Sequence, residues 1–155
     1  MLAETHNETL RIKGHVKAEL FDLDGNIVQT QEVDNLVVTV AKNGFAGILN
    51  GETSFTGIIN YGAIGTGTNS PAAADTTLQT EIARATVEDN SRAGSVTTIT
   101  FYFDPTTGNG AIKEFGAFID GTASADSGTL FDRVNLDVTK TSLNSLRITL
   151  TITAS

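Results

Sequence analysis

The sequence predicts a mainly β fold, an antiparallel, jelly-roll-like β-sandwich with one or two short helices, and three observations predict it. Apolar and polar residues alternate with period two in several stretches. The clearest is the last, where Leu146, Ile148, Leu150 and Ile152 alternate with Arg147, Thr149, Thr151 and Thr153. Segments rich in Gly, Asn, Asp and Pro cut the chain into roughly seven or eight strand-length pieces, the spacing of a two-layer sheet protein, with a small barrel as the alternative. Threonine is abundant on the polar faces, where β-branching favours extended backbone.

The polar residues 1–10 read as a flexible arm, and residues 11–155 as one domain. Val16, Ala18 and Leu20 alternate with Lys17 and Glu19, and a second run, Ile27 to Val33, comes after Asp22-Leu23-Asp24-Gly25-Asn26. Asp-Gly between alternating runs predicts a hairpin with a type I′ turn. After the apolar run Leu36 to Val40, the spacing of Val40, Phe45 and Ile48 or Leu49 predicts a short helix over 41–49, ended by Asn50-Gly51. Asn43-Gly44 inside it is a poor helix dipeptide.

Gly57 to Ile64 reads as a buried strand that enters the loop Gly65-Thr66-Gly67-Thr68-Asn69-Ser70-Pro71. A second helix is predicted over 72–84, with Asp75 as N-cap and Leu78 and Ile82 on its buried face. From Val96 the chain is plainly β, with Ile99, Phe101 and Phe103 on one face and Thr98, Thr100 and Tyr102 on the other. Asp104 to Gly110 is a turn-rich break, and two more strands are predicted at Ile112 to Ile119 and Thr129 to Leu136.

Composition removes most catalytic templates. The 155 residues hold no cysteine and two histidines, which leaves no thiol chemistry and little for a zinc site or a histidine base. A net charge of −8 repels phosphate backbones, so nucleic acid is not an expected partner. No apolar run approaches the length of a membrane helix, and the opening Met1 to Leu10 lacks the pattern of a secretory signal, so the expectation is a soluble chain made in the cytoplasm. For the same reason the acceptor-like Asn7-Glu8-Thr9 is uninformative.

Several local patterns suggest chemistry. Glu19 to Asn26 looks like the first motif of haloacid-dehalogenase-type phosphatases, in which Asp22 would be the nucleophile and Asp24 the acid/base. The remainder of the chain is instead threonine-rich strand of antiparallel type. Lys140 has no accompanying acidic pair, and Asp22 to Asn26 is therefore expected to be a turn. An EF-hand reading of Asp22, Asp24 and Asn26 fails because Ile27 and Val33 stand where its glycine and glutamate belong. Gly62-Ala63-Ile64-Gly65-Thr66-Gly67 comes after a strand but lacks both a dinucleotide fingerprint and a Gly-Lys-Ser/Thr, and it reads as a tight loop of positive-φ glycines. His6 and His15 have no partner by spacing. The sequence thus offers no catalytic, cofactor-binding or metal-ligating residues.

Three stretches together resemble small virion structural proteins of tailed bacteriophages. They are Ile64 to Pro71 continuing through Asp75 and Leu78 to Glu81 and Arg84, then Ile112-Lys113-Glu114-Phe115-Gly116-Ala117-Phe118, then Thr129 to Arg133 through Lys140 to Thr153. Such proteins often carry Gly-Leu-Phe after the glutamate, where this chain has Phe115-Gly116-Ala117-Phe118. The resemblance implies a non-enzymatic part of the virion with no cofactor. It would be a homo-oligomeric capsid decoration or cement protein that binds the major capsid protein; the alternative is a tail-fibre, baseplate or host-adhesion component. Glu81, Arg84, Glu114 and Arg133 are expected to pair, joining the second helix to the sheet; as exposed pairs they would contribute at most about 1 kcal/mol each.

Overall fold

A computed structural model describes residues 3–155. Its strands are β1 (Ile12–Phe21), β2 (Ile27–Asp34), β3 (Leu36–Val37), β4 (Ile59–Gly65), β5 (Glu81–Ala93), β6 (Val96–Phe103), β7 (Gly110–Ile119), β8 (Thr129–Lys140) and β9 (Ser145–Ala154); its helix is α1 (Thr39–Leu49). All pairings are antiparallel, and the strands form one sheet in the order β2-β1-β9-β6-β5-β4-β7-β8-β3.

The mainly antiparallel β expectation holds, but the two facing layers are one nearly closed sheet. Strand β5 is the reason: its first half pairs with β4 and its second half with β6. The far ends of the sheet then meet. Gln29 Nε2 donates to the Asp137 carbonyl (2.8 Å), the Asp137 N–H donates to Gln31 Oε1 (2.8 Å), and the Asn35 N–H donates to the Gly14 carbonyl (3.1 Å). Side-chain amides of β2 thus occupy the edge of β8 that β3 is too short to cover.

Period-two alternation builds the core. Val16, Ala18 and Leu20 point inward from β1, Ile99, Phe101 and Phe103 from β6, and Leu146, Ile148 and Leu150 from β9; all are buried. Burying each large side chain of this kind contributes about 2 kcal/mol. The Phe101 and Phe115 rings lie 5.6 Å apart across the interior. Gly62 is small for their sake, since a Cβ there would stand 2.6 Å from the Phe101 ring.

The first helix forms close to its expected bounds, with Asn50 as C-cap and Gly51 in the left-handed region (φ 83°). Gly44 is tolerated inside it because Phe55 lies directly against that position, 2.6 Å from where a Cβ would be. The second expected helix, over 72–84, is not there. After Pro71, the Asp75 carboxylate accepts the Ala72 N–H (2.9 Å), closing a local turn instead of capping a helix. Leu78 packs over Gly116, and extended backbone begins at Glu81. The periodicity that suggested a helix comes from a β-bulge. Gly65 pairs with Glu81 and Ile64 with Ala83, so Ile82 is the extra residue, and Glu81 and Arg84 come to one face despite their i, i+3 spacing.

The Asp22 to Asn26 hairpin forms, but as a three-residue loop. The Gly25 N–H donates to the Asp22 carbonyl (3.1 Å), and only Gly25 has positive φ (84°), which is a type I turn with a left-handed glycine after it, in place of type I′.

Candidate functional site

The residues singled out by sequence are engaged with one another inside the fold. In the hairpin turn, Asp22 Oδ1 accepts the N–H groups of Asp24 (3.0 Å) and Asn26 (2.9 Å), and Asn26 Nδ2 donates to Asp22 Oδ2 (3.2 Å). The Asn26 donors, with those of Asp24 and Gly25, hold the Asp22 carboxyl below the usual carboxylate range. Both its oxygens are occupied by turn donors. Lys140, the lysine weighed for phosphatase chemistry, is buried at the end of β8, where burial pushes its ammonium down from the usual lysine value. It donates to the Asp104 carbonyl (2.6 Å) and Asn109 Oδ1 (2.8 Å).

The glycine loop after β4 does cradle an anion, and the anion is the protein's own Glu114. Its Oε1 accepts the N–H groups of Gly67 (3.0 Å) and Thr80 (2.8 Å), and its Oε2 accepts Gln79 N–H (2.9 Å) and Arg133 Nε (3.0 Å). Gly65 and Gly67 lack positive φ, contrary to expectation; they are glycines because a Cβ at either would collide with Glu114. Arg133 also reaches Asp75 Oδ2 (2.8 Å) and the Asn69 carbonyl (3.1 Å). The pair is buried and clamps the 66–80 segment onto the outer face of β7 and β8.

Glu81 and Arg84 make a second, separate clamp. Their contact is bidentate (2.6 and 2.9 Å), and the guanidinium lies 4.6 Å over the Phe118 ring. Arg84 Nη1 donates to the Thr122 carbonyl (2.9 Å) and to Ser127 Oγ (2.9 Å), and the Asp126 N–H donates to Glu81 Oε2 (2.9 Å). This fixes the 120–128 loop, whose Asp120 and Asp126 adopt positive φ. The expected partners therefore pair, but they join loops to the sheet and are buried, so the surface-pair energy does not apply to them.

Asp132 was not singled out by sequence. It lies in phase with Val134, Leu136 and Val138 on the inward face of β8, which was the readable signal of a buried acid. Burial pushes its carboxyl up to about 7. The Ala117 N–H donates to its Oδ1 (3.0 Å), and Asn35 hydrogen-bonds its Oδ2. Asn35 Oδ1 is buried without a hydrogen-bond partner. Gly14 makes space for the Asn35 side chain. Nearby, Asp34 (2.9 Å) and then Glu32 (3.3 Å) hydrogen-bond His15 and raise its pKa above the usual imidazole value. His6 lies 3.8 Å from Glu4 on the exposed arm.

One end of the barrel is different in kind. A cleft of about 400 Å³ opens between the start of β4 (Ile58, Ile59) and the end of β5 (Asn90 to Arg92), floored by Ile99, Ile152 and Phe131. A neighbouring groove of about 320 Å³ runs between Leu10 and α1, along Lys42, Phe45 and Leu49. Among the residues lining the two, the charged ones are Arg92 and Lys42, both cationic. Leu10, Ile48, Leu49 and Ile58 are exposed around them.

Among the described residues, no group of three His, Asp or Glu side chains is arranged to hold a metal ion, and no helix is long and apolar enough to cross a membrane. No known protein family, curated protein or solved structure was found to match the chain.

Proposed function

We propose that this chain is a non-enzymatic structural protein of a tailed-phage virion, a capsid decoration or cement protein that stabilises the head shell through contact with the major capsid protein and with copies of itself. The observation that carries the reading is the contrast in what is left unsatisfied. The titratable clusters are consumed in holding loops, whereas one end presents exposed Leu10, Ile48, Leu49 and Ile58 beside two apolar grooves. Contiguous exposed apolar surface of this kind marks an association site. The loops that the clamps fix would give such a module a rigid outline, and the resemblance in Ile64 to Arg84, Ile112 to Phe118 and Thr129 to Thr153 supplies the setting.

A binder of this kind stabilises the assembled shell by mass action, by about 2.7 kcal/mol per site at a hundredfold excess over Kd. The test is to label the protein in intact virions and to melt purified shells with and without it. Label on the head and a raised melting temperature are expected. Label confined to the tail overturns the decoration reading in favour of the tail-fibre or baseplate alternative.

A further inference from the structure

Strand β5 changes partner halfway. Residues 81–86 pair with β4, but from Val87 to Ala93 the ladder partner is β6 alone, and the opposite edge, at Asn90 to Arg92, lines the cleft. An edge strand with unpaired N–H and C=O groups is a template for a further strand. Here it runs beside an apolar trough of Ile58, Ile59, Ile99 and Ile152, which offers side-chain pockets as well as backbone partners. That combination is the geometry of strand addition.

We propose that this cleft receives the N-terminal arm, residues 3–10, of a second copy of the chain as an added strand along the 87–93 edge of β5. The proposal rests on the reading of this end as an association surface and names what fills it. Residues 3–10 are exposed and carry no regular structure, so they are available for pairing. Extended, they reach about 27 Å, ample to enter a neighbour. Thr5 and Thr9 favour extended backbone. The arm carries two carboxylates, Glu4 and Glu8, and the charged residue lining the cleft is Arg92.

The chain's own arm is directed elsewhere. Arg11 is pinned to Ser155 by two backbone hydrogen bonds (2.6 and 2.8 Å), and Leu10 lies along α1, in the groove on the other side of Ile12 and Phe45 from the cleft. Reciprocal exchange between two copies closes the assembly.

The test is sedimentation of the purified full-length chain over a concentration series, with charge variants at exposed positions. The wild type is expected to self-associate. Arg92→Glu, which sets an anion against Glu4 and Glu8, is expected to raise the dissociation constant at least about tenfold, and a mixture of Arg92→Glu with a Glu4→Lys/Glu8→Lys chain to regain association. Circular dichroism of each variant verifies that it is folded. A wild type that is monomeric throughout overturns the proposal, as does an oligomer that Arg92→Glu leaves intact or that the arm variant fails to restore. Because no shell is present, a monomer that still binds shells refutes arm exchange and leaves the docking reading standing.

Discussion

The outer face of β7 and β8 and the barrel end beside β5 are built on opposite terms. On the first, charge is buried and fully partnered: Glu114 takes three backbone N–H groups and a guanidinium, and Arg84 divides its donors among Glu81, Thr122 and Ser127. On the second, apolar surface is exposed and a strand edge is left open. Buried charge is costly unless every member is satisfied, so a finished network of this sort fixes one arrangement of loops. Exposed aliphatic surface has the reverse meaning, since its stabilisation is still to be gained from association. The first region holds shape; the second is where something is added.

Removing one partner of the finished region is the hardest test of that contrast. Glu114→Ala leaves Arg133 buried opposite a void and strips acceptors from Gly67, Gln79 and Thr80. A loss of about 3–5 kcal/mol is expected, measured by urea or thermal unfolding. Arg84→Ala is expected to cost somewhat less, about 3 kcal/mol, because Ser127 and Thr122 lie near enough to the surface for water to replace the guanidinium there. Unchanged stability in either variant would reduce these clamps to incidental contacts. By contrast, Ile58→Ser at the open end is expected to leave monomer stability nearly unaltered and to weaken association alone, as read by parallel unfolding and sedimentation.

How much of this was legible depends on whether the signal was local. Alternation in 96–103 and 146–153 identified β6 and β9 with the correct inward faces, and Asn50-Gly51 marked the end of α1, because both are facts about neighbours in the chain. Strand β5 was hidden because the bulge at Ile82 and a second irregularity between Val87 and Asp89 break its period, making Glu81 and Arg84 look like one face of a helix. That Glu81, Arg84, Glu114 and Arg133 pair was readable as chemistry, but which pairs with which and their burial were not, since loops 66–80 and 120–128 cover them only in three dimensions. The open cleft had no sequence signature at all. It exists because β4 and β5 part company after Tyr61 and Thr86, which is a property of the sheet.

A smaller, pH-dependent effect is expected at the seam where β1, β3 and β8 meet. Asp132 has a folded pKa of about 7, well above its unfolded value, so the folded state binds the extra proton between roughly pH 4 and pH 7. Stability is therefore highest at the acid end of this window and falls as pH rises towards 7, by up to about 1.4 kcal/mol per unit, then levels off. Asp132→Asn keeps an acceptor for the Ala117 N–H, and it removes the titration. Denaturation at pH 5, 6, 7 and 8 is expected to give a flatter profile for the variant than for the wild type. Parallel profiles would place the proton elsewhere.

The smallest effect is expected at the residue whose sequence most resembled an active site. The Asp22 carboxyl is lowered by donors from Asn26, Asp24 and Gly25, so its contribution is present above the unfolded carboxylate pKa and fades as pH falls through the lowered folded value, the opposite slope to Asp132. It is also exposed, and water can take over the turn donors when the carboxylate is lost. Asp22→Ala is therefore expected to lower the melting temperature slightly at pH 7, less than any clamp variant, with the difference vanishing in acid. The same preparation, given magnesium and a generic phosphate ester, distinguishes the turn from the phosphatase motif it imitates. Turnover by the wild type that Asp22→Asn abolishes would mean that the hairpin donors release the carboxylate for chemistry. With both oxygens of Asp22 held by its own turn, no turnover is expected.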